Sequence, residues 1–454
     1  MTKSELHESI INKAQISFAR SGGHGGQNVN KVNTKVHLVI AISDLEGISE
    51  TERNLIRTKL SSIVNKDDCL FIDVDDERHQ ELNRKIAFAR LENRIVQALI
   101  ITKKRIKTKP TQASVKELQG MGIQPDIIVC RTEVPLGQDI KDKIALFCNV
   151  PAKHVMQNLD VETLYEAPLA MEKEHLADIA CECLKLDCPK PDLKEWETMV
   201  HALKNPEKEV TVALVGKYTA LHDAYISVVE ALKHGAVAHN SSVNIKWIPS
   251  EDVTEENVSE LLGDVDGIIV PGGFGDRGVE GMITSIKFAR ENNVPFLGLC
   301  LGMQLCIVEF ARHVLGFTDA HSVELNPSTT HPVIHLMPEQ DGVEDLGGTL
   351  RLGSYPCILE DGTLAQSVYG AHEIHERHRH RYEVNNYYRE ELQKAGLTLS
   401  GLSPDGRIVE MCEIGTHPWF LATQAHPEFK SRPNRPHPLF AGFLGASIKN
   451  MESK

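Results

Sequence analysis

The run Pro295-Phe296-Leu297-Gly298-Leu299-Cys300-Leu301-Gly302-Met303-Gln304 decides the fold of the C-terminal half of the chain. An apolar segment ends at a cysteine between two glycines and turns at once into a helical pattern, which is typical of a nucleophile elbow. Such a turn exposes the thiol, and the N-terminus of the following helix stabilises a thiolate. The run therefore predicts a strand, a tight turn and a helix, with Cys300 as a nucleophile.

Two other segments can supply partners for Cys300. Residues 265–270 predict a strand that ends in Pro-Gly-Gly-Phe-Gly at 271–275, a turn whose amides can hold an oxyanion. Further along, residues 424–428 read Gln-Ala-His-Pro-Glu, so His426 can take the thiol proton and Glu428 can orient the imidazole. The alternative is a core cysteine and an ordinary loop histidine. The agreement of three separate segments favours a catalytic site.

The C-terminal region alternates strand and helix patterns. Candidate strands at 210–215, 244–248, 267–270 and 295–299 are each followed by a turn or a helical run. This order predicts an α/β fold with a doubly wound parallel sheet and helices on both faces. Open α/β sheets bind ligands at the carboxyl ends of their strands, which is where Gly273 and Cys300 lie.

Together these motifs resemble the class I glutamine amidotransferase domain of the CTP synthase family, here assigned to residues 209–454. The resemblance implies that Cys300, His426 and Glu428 hydrolyse the side-chain amide of L-glutamine to glutamate and ammonia. It also implies that the amides of Gly273 and Leu301 form the oxyanion hole. The implied glutamine-binding residues are Phe274, Gln304, Glu324 and Arg381.

The histidine-rich segment at residues 375–383 has an alternative interpretation. His375, His378 and His380 are close enough in sequence to suggest a metal site. Three interleaved arginines would repel a cation and suit a carboxylate better. We therefore predict no metal here, and a solvated charged strand stays open as a third interpretation.

Composition narrows the class of protein. The 454 residues are 41% hydrophobic, enough for two or three globular domains of ordinary size. The sequence shows no leader pattern and no apolar run of about eighteen residues, so we expect a cytoplasmic protein without a membrane partner. Ten cysteines without a CxxC pair suggest reduced thiols.

Charge is distributed unevenly along the chain. Residues 1–110 carry 19 basic against 14 acidic side chains, whereas the rest carries 30 against 49. This asymmetry suggests nucleic-acid binding by the N-terminal part.

A glycine-rich run at residues 19–31 lies between two candidate strands. It lacks the Lys-Ser/Thr ending of a phosphate-binding loop, and a flexible hairpin turn is the plain alternative. The run resembles the Gly-Gly-Gln domain of peptide release factors and ribosome-rescue peptidyl-tRNA hydrolases, assigned here to residues 1–106 as a small α/β domain. The resemblance implies a loop of Gly25, Gly26 and a catalytic Gln27, with the ribosome and peptidyl-tRNA as partners.

From Lys107 onward the chain resembles the later part of the CTP synthase amidoligase domain. We assign residues 107–195 to a partial Rossmann-like remnant and 196–208 to a linker. The resemblance implies weak UTP or CTP contacts by Lys107, Lys109, Gln112 and Lys143. That family uses ATP, Mg²⁺ and GTP. A glycine-rich phosphate loop and magnesium carboxylates have no counterpart at 1–106, so we expect the ATP and Mg²⁺ site to be missing.

These resemblances predict a two-activity fusion. A release-factor-like ester hydrolase would be joined to a glutaminase whose ammonia serves the amination of UTP to CTP, in a homo-oligomer or with a complementing CTP synthase chain. CTP synthesis by this chain alone is not expected. The alternatives are a catalytically idle module that binds ribosomes or RNA or joins CTP synthase filaments, and a recombination or assembly accident.

Overall fold

The computed structural model describes residues 3–19, 34–77, 79–99, 107–336 and 350–454. The chain divides into two compact units, Met1–Ser114 and Val115–Lys454. The predicted boundaries at residues 106, 195 and 208 stay predictions. Among the described residues, no helix has the length and apolar character needed to cross a membrane.

The first unit is built on a three-stranded antiparallel sheet, in which the second strand of the chain lies between the first and the third. Val36, Leu38 and Ile40 alternate along the middle strand and are buried against helices on one face of the sheet. Ser49 caps the second helix in a capping box with Glu52. The elements are α1 (Lys3–Lys13), β1 (Gln15–Ala19), β2 (Lys35–Ala41), α2 (Glu50–Lys59), β3 (Cys69–Val74), α3 (Gln80–Leu99) and α4 (Lys109–Gly120), the last of which continues into the second unit.

The second unit begins with two parallel strands and their helices. A small core that includes Ile128, Ile144 and Val155 joins these strands to the helix between them. A connecting helix is the usual crossover between parallel strands. The elements are β4 (Ile128–Thr132), α5 (Gln138–Cys148), β5 (Val155–Leu159), α6 (Ala167–Lys173), α7 (Leu176–Leu184) and α8 (Lys194–Lys204).

A nine-stranded sheet forms the rest of the second unit. Its strands are β6 (Lys208–Gly216), β7 (Ser241–Pro249), β8 (Gly267–Val270), β9 (Phe296–Leu299), β12 (Arg351–Leu359), β13 (Glu373–His380), β15 (Thr398–Leu402), β16 (Val409–Glu413) and β17 (Phe420–Thr423). Its helices are α9 (Ile226–Val237), α10 (Val258–Leu262), α11 (Val279–Glu291), α12 (Leu301–His313), α13 (Leu364–Tyr369), α14 (Arg389–Lys394) and α15 (Pro438–Ser453). The short strands β10 (His321–Ser322), β11 (Pro332–Leu336) and β14 (Tyr382–Val384) form a separate sheet.

The strand order is β13-β12-β15-β16-β17-β9-β8-β6-β7. The α/β class is confirmed, and the segment from β17 to β7 is parallel as predicted. The other four strands extend the sheet antiparallel, which the prediction of a parallel sheet missed. The central strands β8, β9 and β17 are buried along their whole length, because helices cover both faces of this part of the sheet.

Candidate active site

Cys300 occupies a strained turn between β9 and α12. Its backbone has φ 52° and ψ −100°, a region that residues with a side chain rarely adopt. The two flanking glycines permit the turn: a methyl group on Gly298 would lie 2.9 Å from Ala422 Cβ, and one on Gly302 would collide with the main chain of Val270. The predicted strand–turn–helix unit is thus present, with the cysteine at the N-terminus of the helix.

His426 and Glu428 reach this turn from the neighbouring strand. β17 pairs in parallel with β9, with Thr423 opposite Leu299, and the amide of Cys300 donates to the carbonyl oxygen of Thr423 over 2.8 Å. Three residues beyond β17, His426 Nδ1 lies 2.7 Å from Glu428 Oε1. The structure therefore brings together the three residues proposed as a catalytic triad.

The electrostatics of His426 suit a proton carrier. Burial alone would lower the pKa of the imidazole, but its hydrogen bonds with Cys300 and Glu428 outweigh burial and raise the pKa to about 10. Because Nδ1 is engaged by Glu428, Nε2 is the nitrogen free to exchange a proton with the thiol. An imidazolium held beside a cysteine stabilises the thiolate form of that cysteine.

The glycine turn after β8 packs against the same groups. A methyl group on Gly272 would lie 3.1 Å from His426 Cε1 and 3.5 Å from Cys300 Cβ. One on Gly273 would lie 3.4 Å from Leu301 Cδ2, so the two proposed oxyanion donors are neighbours. Their roles as donors stay predictions.

A cavity of about 170 Å³ opens onto these residues. Its lining includes Cys300, His426 and Glu428 together with Gly273, Phe274 and Arg379. The guanidinium of Arg379 lies 5.8 Å from the centre of the Phe274 ring. The cavity therefore offers a nucleophile, a base and one cation at the carboxyl ends of the parallel strands.

The other proposed glutamine-binding residues lie beside this cavity rather than in its lining. Gln304 is buried, and its Nε2 donates to the carbonyl oxygen of Tyr382 over 3.1 Å. Burial raises the pKa of Glu324, whereas the positive charges of Lys217 and Arg381 act to lower it. The structure thus places Arg381 near Glu324 and Arg379 in the lining of the cavity, and the role of Arg381 in binding glutamine stays a prediction.

Two further residues of the site escaped the sequence analysis. Gln424 is fully buried, and its Nε2 lies 3.7 Å from Cys300 Sγ while its Oε1 accepts from Gln304 over 3.3 Å. Lys217 follows β6 and donates to the carbonyl oxygens of the glycine turn. Gln424 lies in the run around His426, and Lys217 lies two residues beyond the predicted strand at 210–215, so the nearby motifs are the signal that could have found both residues.

The histidine-rich segment forms β13, and its side chains alternate between exposed and buried. His378 and His380 are buried with Glu410, close enough to share an ion, whereas His375 is exposed. His380 Nδ1 donates to the carbonyl oxygen of Tyr382 over 3.0 Å, so its Nε2 accepts from His378 Nδ1 over 3.2 Å.

The second ring nitrogen of His378, Nε2, lies next to the carboxyl group of Glu410. His378 Nε2 lies 3.3 Å from Glu410 Oε2, and Arg351 Nη1 lies 2.5 Å from Glu410 Oε1. Burial raises the pKa of Glu410 to about 7 against the opposing effect of Arg351. His378 Nε2 and Glu410 Oε2 are both buried and make no hydrogen bond, and the guanidinium of Arg351 already supplies the positive charge that a metal ion would bring.

The predicted nucleotide-binding residues are spread over both units. Lys107 and Lys109 are exposed in the first unit, and Gln112 Nε2 donates there to Thr108 Oγ1 over 3.1 Å. Lys143 is exposed on α5 of the second unit. Their role stays a prediction. Gly25, Gly26 and Gln27 lie outside the described residues.

Comparison with known protein families decides the affiliation of the second unit. The family model for glutamine amidotransferase class-I matches residues 220–446, half of the chain. The chain belongs to the class I glutamine amidotransferase family. A second model, for the CTP synthase N-terminus, matches residues 5–186.

Individual relatives agree with these matches. The chain is 62% identical over 345 residues to a CTP synthase of Clostridium perfringens and 57% identical over 349 residues to that of Bacillus subtilis. These alignments cover 76% and 77% of this chain, and the chain spans only 64% and 65% of the length of the two relatives. The solved glutaminase domain of Trypanosoma brucei CTPS with bound acivicin aligns with a TM-score of 0.50 and 39% identity, over 53% of this chain and 94% of that domain.

These matches correct the interpretation of the N-terminal part. The CTP synthase N-terminus model includes residues that we had assigned to a Gly-Gly-Gln domain, so the predicted fusion with a release factor is wrong. The predicted truncation and the expected loss of the ATP-binding half are contradicted by the same match. A peptidyl-tRNA hydrolase activity, with the ribosome and peptidyl-tRNA as partners, is accordingly unsupported.

Proposed function

We propose that this chain hydrolyses L-glutamine at Cys300 and delivers the ammonia to the amination of UTP to CTP. The observation that carries the proposal is the arrangement of Cys300, His426 and Glu428 around one cavity. The amination of UTP rests on the likeness to CTP synthases, of which the chain spans about two thirds.

The proposed reaction begins when Cys300 Sγ attacks the side-chain carbonyl carbon of glutamine. His426, held by Glu428, receives the thiol proton and returns it to the amide nitrogen, so that ammonia leaves and a glutamyl thioester forms. The amides of Gly273 and Leu301 stabilise the negative charge on the carbonyl oxygen. Water, deprotonated by His426, then releases glutamate and restores the thiol.

The charged groups of glutamine have complementary partners in the cavity lining and beside it. The guanidinium of Arg379 in the lining suits the α-carboxylate. The carboxylate of Glu324, beside Lys217 and Arg381, suits the α-ammonium. Phe274, which is more than half exposed at the mouth, can cover the methylene groups.

ATP, Mg²⁺ and GTP belong to the proposed synthase reaction, in which ATP and Mg²⁺ activate UTP. Among the described residues, the group able to share a metal ion is His378, His380 and Glu410. Mg²⁺ prefers carboxylate and water ligands, so two imidazoles beside Arg351 do not fit it. The proposed glutamine hydrolysis uses the side chains around Cys300.

Glutamate release from glutamine tests the first half of the proposal. We expect turnover by the wild-type chain and at least a roughly thousandfold loss in Cys300→Ala, because the nucleophile is gone. Cys306→Ala is the matched control, since it removes a buried thiol from the same helix. A wild-type chain without glutaminase activity, or an active Cys300→Ala variant, contradicts the proposal.

A comparison of glutamine with ammonium chloride as the nitrogen source tests the synthase half of the proposal separately from the glutaminase half. CTP formation from UTP, ATP and Mg²⁺ should proceed with either glutamine or ammonium chloride, and Cys300→Ala should lose only the glutamine-dependent rate. Glutamate release without CTP from either nitrogen source would overturn the synthase half and leave the glutaminase half standing.

A further inference from the structure

Lys217 is a buried lysine at the edge of the proposed active site. It is the first residue after β6 and is only 4% exposed. Its ammonium donates to the carbonyl oxygen of Phe274 over 3.4 Å and to that of Gly275. Both carbonyls belong to the glycine turn that follows β8, so one side chain ties the ends of two strands together.

The methylene groups of Lys217 also pack against this turn. A methyl group on Gly273 would lie 3.3 Å from Lys217 Cδ and 3.4 Å from Leu301 Cδ2. A methyl group on Gly273 would therefore contact both the lysine stem and the first residue of the elbow helix. The lysine stem and Leu301 flank the glycine on the side from which a side chain would project.

The backbone of Lys217 is fixed as well. Its amide donates to the hydroxyl oxygen of Tyr225 over 3.0 Å, and its carbonyl oxygen accepts from Arg277 Nη2 over 2.7 Å. Arg277 in turn pairs with Glu251. The ammonium is thus placed by a rigid support on both sides of the residue.

Burying an ammonium group costs desolvation free energy, so a buried lysine must make interactions that offset this cost. Burial lowers the pKa of Lys217, the negative charges of Glu324 and Asp276 oppose this, and Arg277 adds to it. A methionine would fill similar space without the desolvation penalty. Packing alone therefore does not explain a lysine at this position, whereas two oriented carbonyl groups do.

We propose that Lys217 is a positioning residue for the oxyanion hole: its ammonium fixes the carbonyls of Phe274 and Gly275 and so holds the Gly273 amide in place. The inference rests on the proposed glutaminase function. Lys217 does not touch the reacting atoms, so its effect should appear in the rate of the chemical step rather than in glutamine binding.

Lys217→Met tests this role because it keeps the stem and removes the ammonium. We expect kcat for glutamate release to fall about 100-fold, near the loss that follows removal of one oxyanion donor, while KM changes less than about threefold. Lys217→Arg keeps the charge and should recover part of kcat. Rates are expressed per site that iodoacetamide labels at Cys300, with Cys300→Ala as the blank.

Lys454→Met is the matched control, because the Lys454 ammonium also donates to a backbone carbonyl, that of Val265, over 2.7 Å. It should keep the wild-type kcat. A Lys217→Met variant with wild-type kcat per labelled site overturns the inference while the glutaminase stands. If the loss of activity is explained by fewer labelled sites, Lys217→Met is misfolded, and this outcome also overturns the inference. A wild-type chain that releases no glutamate overturns the proposed function itself.

Discussion

Replacing Gly302 by alanine should displace the helix that carries the elbow. The added methyl group would lie 3.0 Å from the carbonyl carbon of Val270, 3.3 Å from its Cβ, and closer still to its carbonyl oxygen. These atoms belong to β8, a buried strand that is paired on both sides and cannot rotate away. Because non-bonded heavy atoms pack at about 3.5–4.0 Å and the carbonyl oxygen is the closest of these atoms, α12 must move from β8 by about 1 Å or more.

This displacement has two measurable consequences. Overpacking of this kind lowers the free energy of unfolding by about 1–3 kcal/mol. A shift of about 1 Å in the nucleophile and the Leu301 amide lowers kcat for glutamate release roughly 100-fold. Thermal unfolding and glutamate release measure both effects. Gly120→Ala is the control, since a methyl group there meets no atom within 4 Å. A Gly302→Ala variant with wild-type kcat and an unchanged unfolding midpoint would refute the argument.

Two other perturbations test the buried charges. Glu309 is fully buried, and its Oε1 lies 2.7 Å from Arg290 Nη2. Glu309→Leu should lower the free energy of unfolding by about 3–5 kcal/mol, and adding Arg290→Met should recover most of this loss. Equal denaturation midpoints for the single and double variants would count against this. Burial, aided by the charge of Arg351, lowers the pKa of His380 to about 3. Between pH 6.5 and 3 the imidazole is therefore protonated in the unfolded chain but neutral in the native state. The free energy of unfolding consequently falls as the pH falls. His380→Gln should reduce this slope by about 1.4 kcal/mol per pH unit in denaturation measured from pH 6 to 4, and an unchanged slope would show that His380 is protonated in the native state.

The elbow and the proposed triad could be predicted because their signals are local. The apolar run, the two glycines and the cysteine at residues 295–304 specify a strand, a turn and a helix within one short segment. The antiparallel half of the sheet has no such signal. In β13, exposed and buried positions alternate, but three of the four buried positions hold Glu376, His378 and His380, so the sequence shows little apolar alternation. Their burial depends on partners such as Glu410 and His437, which are distant in the chain.

The N-terminal error has a different origin. The predicted Gly-Gly-Gln domain rested on a short glycine-rich run, and glycine permits the same tight backbone conformations in unrelated folds. The CTP synthase N-terminus model weighs residues 5–186 together and contradicts that prediction. Alternation along a strand could not decide between Arg379 and Arg381 either, because they are two residues apart and β13 ends between them at His380. The role of Arg381 in binding glutamine stays a prediction.

The pairing of β9 with β17 bears on when activity arises during folding. Cys300 and Gln424 are 124 residues apart in the chain, yet they meet because these two strands are hydrogen-bonded in parallel. Contacts between distant segments carry a large loop-closure entropy and form late relative to local ones. The elbow can form with its own helix, but the base arrives only after the intervening strands have been placed. Glutaminase turnover would therefore report completion of the sheet, and a nascent chain that ends before β17 would hold the nucleophile without its base.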